Sequence, residues 1–177
     1  MLRESPEPGL GIATDRACSS APWLNAVVAT FSIILVATDF SDNAAAALAM
    51  AARLREDYAA TLRVAHVSHG SSVREALKAK LIAPGDDDDV LDQKLREARV
   101  ARMEAFLAPL GAAATGVETV FLGGDPSREI VRYARDNGVD LIVLGRRGTT
   151  LGDVMLGSVA ERVVRHAPCP VLITRRQ

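Results

Sequence analysis

The chain has 177 residues, 49% of them hydrophobic, with a formal net charge of -1, so it is long enough to bury one sizeable core. Its 21 Lys and Arg are balanced by 22 Asp and Glu, and aromatics make up only 4%, which argues against the positive field and stacking surface that nucleic-acid binding requires. The two cysteines, Cys18 and Cys169, lack CxxC spacing, so neither a disulfide framework nor a zinc knuckle is expected and a reducing cytoplasm is the natural setting.

Residues 1–28 are rich in Pro, Gly, Ser and Ala without periodicity and read as a mobile N-terminal extension, followed by one domain at 29–177. The stretch AVVATFSIILVA, Ala26 to Ala37, has the look of a signal-peptide core. It follows acidic Glu4, Glu7 and Asp15 rather than a basic cluster, and it is too short to span a bilayer. It is therefore read as strand, with no membrane segment. Ile33 to Ala37 form the first strand, which ends in Thr38, Asp39, Phe40 and Ser41 before an alanine-rich helix from Ala44 to Leu54. Ser41 is its N-cap and Asp42 favours its first turn. Asp39 stands at the carboxyl end of that strand, where open parallel sheets bind ligands. Its alternative role is to tie its own turn backbone.

TLRVAHV, Thr61 to Val67, is the second strand, followed by a long connection from His69 to Asp89 with room for a helix around Val73 to Leu81. Asp86 to Asp89 read as a solvated helix start; no EF-hand spacing follows. Leu91, Leu95, Ala98, Met103, Phe106 and Leu110 fall on one side of a helix that Gly111 stops. Val117 to Leu122 give a third strand, and Asp125 with Pro126 opens a helix as N-cap and N1. Ile130 and Ala134 face inward in it, and Asn137-Gly138 ends it.

The fourth strand, Leu141 to Leu144, runs into Gly145 and Gly148, and a further glycine, Gly157, precedes Ser158 with Glu161 three residues on. That S-x-x-E pattern predicts a capping box before Val159, Val163 and Val164. Unpaired backbone N–H groups, a positive helix end and glycines without a Cβ meet there, which predicts an anion site. Arg146 and Arg147 lie between the loop glycines, either reaching a phosphate or facing solvent. The spacing of His66 and His69 does not place both rings on one strand face, so no metal is expected, and His166 suits the last turn of its helix. Cys169, between two prolines, is read as a small buried hydrophobe before the final strand, Pro170 to Thr174. No nucleophile elbow, H-E-x-x-H pair or Walker lysine occurs, so the chain is not read as an enzyme. Five strands and about four main helices in βαβ alternation give an α/β, Rossmann-like fold: a doubly wound parallel sheet with helices on both faces.

VATDFS after the first strand, GDPSREIVRYARDNGVDLIVLG, and the run from Gly145 through RVVRHAPCPVLIT resemble the universal stress protein family over roughly Phe31 to Arg175. Nucleotide-binding members carry Gly-x2-Gly-x9-Gly-[Ser/Thr] at this place; here eight residues, Thr149 to Leu156, separate Gly148 from Gly157. The resemblance implies an open five-stranded sheet of order 3-2-1-4-5. It implies a cytoplasmic stress-response module holding ATP or another adenine nucleotide, with Mg²⁺ at the phosphates. Ala37, Thr38 and Asp39 would line the base and ribose, with Val67 against the adenine. Gly145, Gly148, Gly157, Ser158 and Val159 would hold the phosphates, and Leu144 is counted among the nucleotide-binding residues. In that order the final strand is a sheet edge, whose open N–H and C=O groups predict a homodimer. The alternatives are a member that binds no nucleotide and acts through dimer and protein contacts, or a slow nucleotide hydrolase.

Overall fold

A computed structural model describes residues 31–68, 88–146 and 156–175 of the chain. The tail, the helix expected around Val73 to Leu81, and both Arg147 and Gly148 lie outside the described residues. The described elements alternate: β1 (Ile33–Thr38), α1 (Asp42–Tyr58), β2 (Thr61–Ser68), α2 (Asp88–Leu107), a 3-10 segment (Ala108–Ala114), β3 (Glu118–Gly123), α3 (Pro126–Asp136), β4 (Leu141–Gly145), α4 (Ser158–His166) and β5 (Val171–Thr174).

The strands form one sheet in the order β3-β2-β1-β4-β5, with every pairing parallel. The doubly wound architecture and its implied order are thus observed. Alternation along β1 explains why the sheet needs cover on both sides. Ile34 and Val36 join Leu62, Val64 and Val143 under α1 and α2, whereas Leu35 joins Ala65, Ile142 and Leu144 under α3 and α4. Each fully buried aliphatic side chain contributes about 1.5–3 kcal/mol, so the three central strands carry most of both cores.

Two helix expectations need correction. α2 ends at Leu107 and passes into the 3-10 segment, rather than running to Leu110. Pro109 has no N–H and disfavours helical backbone in the residue before it. Gly111, expected to stop the helix, instead kinks the 3-10 segment at φ 55°. Ala98 is exposed while Arg99 is half-buried. The inward stripe steps by four from Leu95 through Arg99 to Met103, and thereby brings an arginine toward the sheet.

The start of β1 is anchored across the chain. Asp140, just before β4, accepts hydrogen bonds from the Ser32 and Ile33 amides through Oδ2, both at 2.9 Å. β1 and β4 are adjacent although α1, β2, α2, β3 and α3 intervene. Strand order therefore reverses between them, and a crevice opens beyond their carboxyl ends.

Candidate functional site

One wall of this crevice is the turn from β1 into α1. Thr38 is buried at the strand's end, and its Oγ1 accepts from the Phe40 amide at 2.8 Å. Asp39 Oδ1 accepts from the Ser41 amide at 3.0 Å, and Ser41 Oγ caps α1 by accepting from the Ala44 amide at 3.3 Å. Asp39 therefore does tie its own turn, yet its side chain stands exposed at the carboxyl end of the central strand. Phe40 takes the left-handed backbone, φ 63°, which costs a side-chain-bearing residue about 1–2 kcal/mol. Its ring lies 4.4 Å from the His66 ring and 5.5 Å, edge-on, from Phe106, with Arg102 Cζ 4.5 Å above its face.

His66 is fixed by the same turn. Its Nδ1 lies 2.9 Å from the Thr38 carbonyl oxygen. A carbonyl only accepts, so Nδ1 carries the proton and donates. Burial pushes the imidazole below the ordinary histidine range, and the charges of Arg102 and Arg99 act the same way, while the bond to Thr38 and the charge of Asp39 oppose. A neutral ring leaves Nε2 as an acceptor.

The opposite wall is built where β4 ends. Gly145 packs against the first turn of α1: a Cβ there would lie 2.6 Å from the Asn43 carbonyl carbon and 2.9 Å from the Ala44 nitrogen. Arg146 then bridges two elements through its backbone, its N–H donating to Thr174 O at 2.8 Å and its carbonyl accepting from Gly157 N–H at 2.9 Å. The bond from Gly157 to Arg146 thus sets the start of α4 beside the end of β4.

The start of α4 differs from the predicted capping box. Gly157 is the N-cap and Ser158 is the first helical residue, with no side-chain cap hydrogen bond. The cause is the Gly157 carbonyl, which accepts from the Glu161 amide at 2.9 Å and begins the helix one residue early. Glu161 does not reach back; its Oε1 accepts from Arg165 at 2.7 Å. α1 and α3 are capped by Ser41 and Asp125. Among the described residues no side chain caps the first turn of α4, and N–H groups at such a helix start suit an anionic ligand.

The predicted residues fall into three groups. Ala37, Val67, Leu144 and Val159 all pack on the α3 and α4 side of the sheet. Thr38 and Asp39 border the crevice from β1, and Gly145, Gly157 and Ser158 border it from β4 and α4. Gly148 lies outside the described residues. Phe40, His66 and Arg102 were not singled out as site residues from sequence. A positive φ at phenylalanine has no sequence signal, and Arg102 looks like any other arginine of α2. Asp125, the cap of α3, is held below the usual carboxylate range mainly by the Ser127 hydroxyl and the Arg128 amide, and it pairs with Arg162 of α4 at 3.7 Å. Among the described residues no group of three or more His, Cys, Asp or Glu could hold a metal ion. A cavity of about 390 Å³ lined by Ala52, Arg55 and Ala113 lies at the other end of α1, and its arginine is bonded to the Ala113 and Thr115 carbonyls.

Comparison with known proteins agrees with this architecture. The model of the universal stress protein family matches residues 30–175. Universal stress protein YxiE of Bacillus subtilis is 33% identical over 147 residues, covering 82% of this chain and 99% of the relative. Universal stress protein MJ0577 of Methanocaldococcus jannaschii is 32% identical over 153 residues, covering 81% and 94%. Its solved structure aligns with a TM-score of 0.66. The structure of universal stress protein UspA from Lactobacillus plantarum aligns at 0.64 with 29% identity, covering 83% of this chain and 99% of that one. Among the described residues no helix is long and apolar enough to cross a membrane.

Proposed function

The chain belongs to the universal stress protein family, and from that premise we propose that it is an adenine-nucleotide-binding regulatory module of the cytoplasm rather than an enzyme. Its ligand is ATP, accompanied by Mg²⁺ at the phosphates. The observation that carries the reading is the uncapped start of α4 at Gly157 and Ser158, set against the end of β4 by the Arg146 carbonyl. Backbone donors and the helix dipole converge there on one side of the β1–β4 crevice, and the exposed carboxylate of Asp39 stands on the other. Gly145, Gly148, Gly157, Ser158 and Val159 are assigned to the phosphates, Ala37, Thr38, Asp39 and Val67 to the nucleoside, and Leu144 to the nucleotide site without a separate role. At the level of fold alone, universal stress proteins solved in complex with cAMP and with dAMP, 24% and 21% identical, share this architecture.

Nucleotide binding here would work by backbone positioning, with charge supplied by the helix end rather than by a lysine. With no Walker lysine in the sequence, turnover falls far below the enzyme median of about 10 per second. The regulatory unit is a homodimer joined through β5, which lies at the sheet edge. A second reading, a member that binds no nucleotide and acts through protein contacts, is favoured by the eight residues between Gly148 and Gly157.

Isothermal calorimetry with Mg-ATP separates the two. The expected outcome is saturable binding by the parent protein and none by Gly157→Asp, whose carboxylate would occupy the first-turn donors. No heat of binding at millimolar nucleotide would overturn the first reading, and rapid phosphate release would favour a hydrolase.

A further inference from the structure

The left-handed backbone of Phe40 is needed by everything around it. In that conformation the Phe40 amide reaches Thr38 Oγ1 and the Ser41 amide reaches Asp39 Oδ1, and Ser41 is then set to cap α1. Phenylalanine does not favour φ 63°, and it stays there only if its surroundings insist. His66 stacks on one part of the ring, from β2, and holds the Thr38 carbonyl. The other two contacts, Phe106 edge-on and the Arg102 guanidinium over the face, both come from α2, a helix that supplies none of the residues assigned to the ligand.

We infer that Arg102 is a positioning residue for the crevice: by capping the Phe40 ring it holds the Thr38–Ser41 turn closed, so that α2 sets the orientation of Asp39 and through it the affinity for nucleotide. A guanidinium suits this role because it is planar and stacks on an aromatic face while its stem packs below. The affinity part of the inference rests on the nucleotide reading given above; the turn part does not.

The test is amide hydrogen exchange on the full chain, read at Phe40, Ser41 and Ala44, the donors to the turn's three side chains. Arg102→Met keeps the stem and removes the charged plane. Exchange at the three amides should accelerate roughly 2- to 5-fold, the range expected for a lost cation–π contact at an exposed arginine, while the Arg128 amide, held locally by Asp125 at the cap of α3, keeps its parent rate. Arg102→Lys should recover part of the protection. In a Phe40→Gly background, where a left-handed backbone costs little, Arg102→Met should add nothing. The Mg-ATP dissociation constant of Arg102→Met should rise by a similar factor. Parent-like exchange in Arg102→Met overturns the inference, as does faster exchange with an unchanged dissociation constant. If the parent binds no ATP while exchange at the turn accelerates, the nucleotide reading has failed and the hold of Arg102 on the turn stands.

Discussion

Gly145 shows how a loop glycine can be demanded by packing as much as by a ligand. Its missing side chain admits the backbone of Asn43 and Ala44, where a Cβ would approach to 2.6 Å, closer than real Cβ contacts. Backbone cannot swing aside as a flexible side chain can, so Gly145→Ala should destabilise the ligand-free protein by about 1–3 kcal/mol. Urea unfolding checks this, and an unchanged midpoint would return Gly145 to a ligand role alone. His66 gives the pH dependence at this scale. Its folded pKa is lowered, chiefly by burial, so the unfolded chain binds the proton more readily. Stability is then complete above the ordinary histidine value of about 6.5 and declines as pH falls from there toward the lower folded value. His66→Asn places an amide N–H near the position of Nδ1 and cannot take up a proton. Its stability should lack this part of the acid decline, as urea unfolding between about pH 7 and 5 would register. An undiminished slope in the variant would show that another group carries the decline.

At the scale of elements, the contrast among helix starts matters most. α1 and α3 are closed by side chains, whereas α4 begins at Gly157 with none. Gly157 has extended backbone, φ -62° and ψ 145°, which an aspartate adopts without strain. Gly157→Asp should therefore match or exceed the parent in thermal stability, by a few tenths of a kcal/mol, while losing nucleotide. A loss of stability parallel to the loss of binding would mean the glycine serves packing. These elements were unequally legible from sequence. The buried strands stood out because sheets covered on both faces leave unbroken apolar runs such as IILVA and LIVL. Asp125-Pro126 marked the start of α3 because both residues act locally. The end of α2 was missed because Pro109 overrode the apolar period, and Ala98 because the stripe passed through Arg99. Ser158 falls inside the helix and not at its cap because the Gly157 carbonyl already accepts from the Glu161 amide, while the Gly157 amide is held by Arg146 across the loop, a bond that no local pattern encodes. For the same reason the Phe40, His66 and Arg102 group, drawn from three elements, was not legible as part of the site.

At the scale of the whole molecule, the edge strand β5 is where the proposed homodimer would form. Pro170 and Thr174 direct their carbonyls to β4, accepting from Ile142 and Arg146 at 3.1 and 2.8 Å. Backbone groups alternate along a strand, so those of Val171 and Ile173 point away from the sheet. In the proposed dimer, pairing with the same strand of a second copy would satisfy them and close a two-fold assembly. Ile173→Pro removes one outward donor and spares the bonds to β4, since proline is tolerated at sheet edges. Light scattering should find a dimer for the parent and a monomer for the variant, with circular dichroism confirming that the fold persists. A parent that is monomeric at micromolar concentration would remove this interface.

The bond from Asp140 to the start of β1 spans 107 and 108 residues of sequence, and this sets a timetable for the newborn chain. β1, β2 and β3 can emerge and pair in order, yet the central strand keeps one side open until β4 arrives. At about 5–20 residues per second, that interval lasts on the order of 10 s. During it Leu35, destined for the α3 and α4 side of the sheet, has no cover, and the exposed flank of β1 invites pairing with the wrong chain. Contacts of such long reach slow folding.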